Sequence, residues 1–198
     1  IIYDACGNEI SRNTINLNPF ENKKILIRSL LKGVTGQGTF GCFHHADSTY
    51  EIQKAGCHLA DRQYVSYSWK NDIFFNYVHG NIFSLSKLAS ENKVRSLVPI
   101  HRKTHVYRPQ LRFDDCDKFD LVYSNPAEEP LKLLVRLFND NWNEIHRREV
   151  CIPPRGLEIL NFNNNSRKFV LVENQSRIGL CRPVIFKFYE SFFDVLHG

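Results

Sequence analysis

Cys42, His44, Cys57 and His58 are the residues whose types most directly suggest chemistry. Thiolate and imidazole are the ligands zinc prefers, and two clusters a loop apart, residues 41–47 and 56–61, could close a tetrahedral site. Neither cluster has a standard ligand spacing. On a strand, Cys42 and His44 would project from one face and His45 from the other. The other reading is a polar loop with incidental histidine and free thiol. A metal-dependent hydrolase is the enzymatic reading these residues allow. A Cys-His nucleophile pair would need a local motif, and none surrounds Cys42 or Cys57.

A basic run supplies the second constellation: Arg95, His101, Arg102, Lys103, His105, Arg108 and Arg112, with no acid between Glu91 and Asp114. Its lysine and arginines carry five formal charges, as many as the net +5 of the whole chain. As a strand, this run would place Arg102, Arg108 and Arg112 on one face and Tyr107 on the other. Aligned guanidiniums grip phosphate, carboxylate or sulfated sugar, with Lys103 as an added point charge. Nucleic acid fits less well, because the rest of the chain is nearly neutral and no RNA-binding aromatic motif is present. A solvated strand edge guarded by charge is the alternative.

A third candidate is a repeated histidine. His79 and His197 each follow an aromatic-rich run and precede a glycine, with an acid seven residues earlier, Asp72 and Glu190. Acid and imidazole could act as a base and its orienting group. An element kept in two copies is more simply a strand end.

That histidine belongs to a larger repeat, which bears on how these groups are positioned. Residues 74–80, Phe-Phe-Asn-Tyr-Val-His-Gly, return at 192–198 as Phe-Phe-Asp-Val-Leu-His-Gly, an offset of 118. Asn8-Glu9-Ile10 returns as Asn143-Glu144-Ile145 at an offset of 135, which also brings Asn18-Pro19-Phe20 onto Pro153-Pro154-Arg155. The difference, 135 − 118 = 17, is an excess of 17 residues in copy one, within an insertion spanning about 28–62. Copy two has apolar runs at 119–123 and 131–138 ahead of its Asn-Glu-Ile, whereas copy one has only residues 1–3, so copy one is expected to lack leading strands.

Strand signals dominate. Residues 131–138 alternate enough to bury one face, 169–172 form a short apolar run, and 182–189 are aromatic and β-branched. Turns are expected at 125–126, 153–156 and 163–166. Strands at this spacing predict a β-sandwich or barrel. Residues 21–31 could form a turn or two of helix, against a strand at the equivalent 156–162. Residues 84–92, capped by Ser84 and with Leu85 and Leu88 on one face, predict a short helix in a linker.

Composition bounds the rest. The 198 residues, 42% apolar and 13% aromatic, describe a globular chain able to bury a core. No apolar run approaches the roughly 20 residues of a membrane span. Six cysteines without a CxxC pair predict reduced thiols and a cytoplasmic setting. The signatures of P-loop, dinucleotide-binding, nucleophile-elbow and His-Glu-x-x-His enzymes are absent.

The sequence thus predicts an all-β protein of two related sandwich modules in tandem: residues 1–81, a linker at 82–95, and residues 96–198. The expected function is non-enzymatic binding of an anionic small molecule or glycan, or of a protein partner. Its expected surface combines Arg102, Lys103, Tyr107, Arg108 and Arg112 with the insertion and exposed aromatics such as Trp69 and Trp142. No cofactor is expected beyond the zinc that Cys42, His44, Cys57 and His58 could take. A structural subunit of a homo-oligomer is the third reading, since an incomplete sheet edge is a template for assembly.

Overall fold

The protein is all-β, as the spacing of its strand signals predicts. The computed structural model describes residues 1–31, 33–42, 64–70, 74–79, 85–88, 93–96, 98–179 and 181–198. In chain order the elements begin with β1 (Ile2–Asp4), β2 (Glu9–Ser11), α1 (Ile27–Leu30), β3 (Gly38–Phe40), β4 (Tyr64–Trp69), β5 (Phe74–His79), β6 (Leu85–Leu88) and β7 (Lys93–Ser96). They continue with β8 (His105–Tyr107), β9 (Lys118–Ser124), β10 (Leu131–Phe138), β11 (Glu144–Ile152), β12 (Leu157–Asn163), β13 (Leu171–Ser176), β14 (Val184–Phe188) and β15 (Phe193–His197).

Strands β8–β15 form two antiparallel sheets, in the orders β11-β10-β13-β8 and β12-β9-β14-β15. Period-two alternation places Leu131, Leu133, Val135 and Leu137 of β10 opposite Phe119, Leu121 and Tyr123 of β9 across the core. Leu160, Phe162, Val172 and Ile185 complete it. Lys187 breaks the apolar pattern of β14, but it lies at the rim, where its ammonium bonds the Arg112 carbonyl and, at 2.8 Å, Asp115. Asn164 is also buried, its amide donating to the Phe113 and Phe169 carbonyls at 2.6 and 3.3 Å.

The described elements of residues 1–79 pack around this sandwich in two pieces. The first is the sheet β2-β1-β3, which repeats the arrangement β11-β10-β13 in miniature. At the offset of 135, Tyr3 pairs with Glu9 as Phe138 pairs with Glu144. The Asp4 amide bonds the Asn8 carbonyl at 2.9 Å, as Asn139 bonds Asn143 at 3.1 Å. Gly7 and Trp142 both take positive φ, 85° and 60°, and so do Phe20 and Arg155, at 64° and 60°. Copy one's turn rests on copy two's: Leu157 donates its amide to the Ala5 carbonyl at 3.1 Å, and Thr39 its hydroxyl to the Arg155 carbonyl at 2.9 Å. Glycine is required there, since a Cβ on Gly7 would lie 1.8 Å from the Pro154 oxygen and one on Gly156 2.5 Å from the Ala5 oxygen.

The second piece is the hairpin β4–β5, which covers the outer face of β14–β15. Trp69 meets Phe188 and Phe193 at ring distances of 5.4 and 5.9 Å, and Tyr67 meets Phe186 edge-on at 4.9 Å. The repeated strands β5 and β15 lie side by side. Asn76 donates to Asp194 at 3.3 Å, and the His79 and His197 rings stand 4.6 Å apart, both pairs separated by 118 positions.

Two element expectations change and one is narrowed. Within 84–92, Leu85–Leu88 is a strand paired with Lys93–Ser96, because one turn of helical spacing cannot sustain an isolated helix. Of residues 21–31, only Ile27–Leu30 is helical, since Leu26 at the N-cap offers no side-chain acceptor. The strand expected from Phe169 begins at Leu171, with Phe169 and Val170 buried just ahead of it. The tandem-sandwich arrangement expected for residues 1–81 falls partly on residues 43–63, which lie outside the described residues.

Candidate anion-binding corner

The chain has several acid-free stretches, among them 22–46, 73–90, 92–113 and 174–189. The fold places the last two together. β8 pairs with β13, setting His105 opposite Ser176 and Tyr107 opposite Asn174. Just before β8 the His101 amide donates to the Arg177 carbonyl at 2.7 Å, and the Arg177 guanidinium returns a bond to the His101 carbonyl at 2.5 Å. Arg102 and Lys103 form the exposed bend between these contacts. The His101 and His105 rings stand 4.7 Å apart, edge to face, at this corner. Neither Arg102 nor Lys103 has an ion-pair partner among the described residues.

The remaining members of the expected site lie elsewhere. Arg108 and Arg112 do not share a strand face with Arg102, because β8 stops at Tyr107 and the buried Pro109 supplies no ladder donor. Arg108 donates to Glu173 at 2.8 Å and lies 5.7 Å from the Trp142 ring. Arg136 reaches the other oxygen of Glu173 at 2.9 Å, and Gln175 donates to that same oxygen at 2.9 Å. Burial would raise the Glu173 carboxyl, but its bonds from Gln175, Arg108 and Arg136 outweigh that and hold it below the usual range. Arg112 is occupied by Asp114 at 2.8 Å. Both arginines are therefore neutralised within the fold.

Tyr107 is half-buried, with the Arg182 guanidinium 5.6 Å from its ring centre. Trp142 is exposed as expected, whereas Trp69 is packed between the hairpin and the sandwich. Arg182 also extends the positive margin toward the repeated histidines. Burial first, then His79 and Arg182, lowers the His197 imidazole from its ordinary value. In copy two the His197 ring lies beside that of His79, and Glu190 is exposed. Asp72 lies outside the described residues.

Of the four expected zinc ligands, Cys42 is exposed just after β3, and His44, Cys57 and His58 lie outside the described residues. Among the described residues no group of three or more His, Cys, Asp or Glu side chains could hold a metal ion. Among them also, no helix is long and apolar enough to cross a membrane. Arg177 is the corner residue that sequence reasoning missed. Its signal was the acid-free stretch 174–189, which gains meaning only once β13 is known to pair with β8.

No family model, curated protein or solved structure matches this chain.

Proposed function

We propose that this is a non-enzymatic binding protein that recognises an anionic, carbohydrate-like ligand at the corner formed by Arg102, Lys103 and Arg177. The observation that carries this reading is the meeting of the acid-free stretches 92–113 and 174–189 at an exposed strand edge. Arg102 and Lys103 have no ion-pair partner among the described residues, unlike Arg108 at Glu173 and Arg112 at Asp114, and this leaves a local positive field. Backbone bonds on both sides fix the bend, so that binding has to order the side chains of its cations but not their backbone.

The test is retention of the protein on immobilised heparin, with a glycan array and a single-stranded DNA column alongside. The triple variant Arg102→Ala, Lys103→Ala, Arg177→Ala is expected to bind a sulfated glycan about tenfold or more weakly, on the order of 1.4 kcal/mol. Equal retention of variant and wild type would remove the corner from the reading. Binding to DNA alone would overturn the ligand class.

A further inference from the structure

We propose that His101 and His105 are ligand-binding groups of the same corner, acting in their protonated forms, so that the anion binds together with protons. The inference rests on the anion-binding reading above and adds its chemistry of selection: the ligand carries sulfate or phosphate groups, and its affinity rises as the solution becomes mildly acidic.

Position is the first argument. Both imidazoles are exposed, and their rings are in contact at 4.7 Å. Both residues are anchored through the backbone, and neither has an ion-pair partner among the described residues. His101 is fixed by its paired bonds with Arg177, and its Nε2 lies beside Gly179, 3.7 Å from where a Cβ would stand. His105 is fixed by its register opposite Ser176.

Charge is the second argument. The charged groups next to the pair along the chain are Arg102 and Lys103 from the bend and Arg177 from the turn after β13, with Arg182 beyond Tyr107 of β8. Among the described residues neither imidazole has an acidic ion-pair partner. Glu173, the acid that bounds the acid-free stretch 174–189, is already taken by Arg108, Arg136 and Gln175. A sulfate or phosphate group placed beside the two rings favours their charged form and supplies acceptor oxygens for the ring N–H groups. Ligand and proton therefore strengthen each other's binding, by reciprocal linkage. Histidine is the side chain that ordinarily makes this change between pH 5 and 8. A ring that holds its proton to higher pH in the complex than in the free protein gives an affinity that grows as pH falls and levels off once both states are protonated.

The test is calorimetric titration of the full chain with a fully sulfated heparin hexasaccharide at pH 5.5, 6.5 and 7.5 and constant ionic strength. Each titration is run in two buffers of different ionisation enthalpy, to count the protons taken up. Wild type is expected to bind about tenfold more tightly at pH 5.5 than at 7.5, with net proton uptake at pH 6.5. The double variant His101→Gln, His105→Gln is expected to bind with one affinity across the three pH values. Both positions are exposed, and matching thermal melts of variant and wild type will show that the fold is kept. Wild-type binding that is independent of pH and releases no proton signal would overturn the proposal while leaving the anion site standing. A pH dependence that survives in the double variant would overturn it too, and would move the effect to other groups. Failure of wild type to bind at any pH would overturn the anion-binding reading and this inference with it.

Discussion

Among single residues, Glu173 shows how the fold disposes of charge. Its side chain is only 3% exposed, yet it accepts from two arginines that are themselves partly in water. Replacing it with Gln removes the charge that both arginines face and is expected to destabilise the protein by about 2–3 kcal/mol, read as a lower urea midpoint. His197 illustrates a different burial. Its folded value lies below the ordinary 6.5, through burial and the nearness of His79 and Arg182. The unfolded chain therefore takes up this proton first on acidification. The stability that the neutral ring supports is complete above about pH 6.5 and is lost as pH falls below it. The thermal midpoint of wild type should drop between pH 7 and pH 5, and that of His197→Gln should drop less over the same interval.

At the level of elements, the strands with one dry face were legible. Residues 131–138 alternate because one side of β10 packs into the sandwich and the other carries Arg136 to Glu173. The basic run was legible as charge but not as shape. Pro109 ends the strand where Arg108 would have continued it, and the chain then turns inward to bury Phe113 and Cys116. Arg177 was not legible as a partner of His101, because pairing between β8 and β13 is a long-range choice that no local pattern encodes. The repeated segment was legible as likeness, whereas the structure makes it a contact between β5 and β15. Asn76→Asp would set a carboxylate against Asp194, costing about 1 kcal/mol. Adding Asp194→Asn restores an amide–carboxylate pair in reverse. Urea melts followed by tryptophan fluorescence, to which Trp69 in the hairpin contributes, should show the double variant recovering most of what the single one loses.

For the molecule as a whole, the docking of one turn on another has a consequence beyond stability. The turn at Gly7 and the turn at Trp142 are built alike, and so are those at Phe20 and Arg155, yet only one of the two sockets is filled within the chain. The exposed knob at Trp142 and the exposed socket at Phe20 would, on a second molecule, meet as Gly7 and Arg155 do here. Repetition of that contact from molecule to molecule would be heterologous and open-ended, the geometry of a fibre. Gly7 and Gly156 make the internal contact passable, and their counterparts at the offset of 135 are Trp142 and Glu21, each with a side chain where only hydrogen fits. Sedimentation of wild type should therefore show no growth of head-to-tail species with concentration, whereas Trp142→Gly combined with Glu21→Gly should show it. The fit that joins two turns within the chain is thus expected to be refused between chains, by the side chains of Trp142 and Glu21.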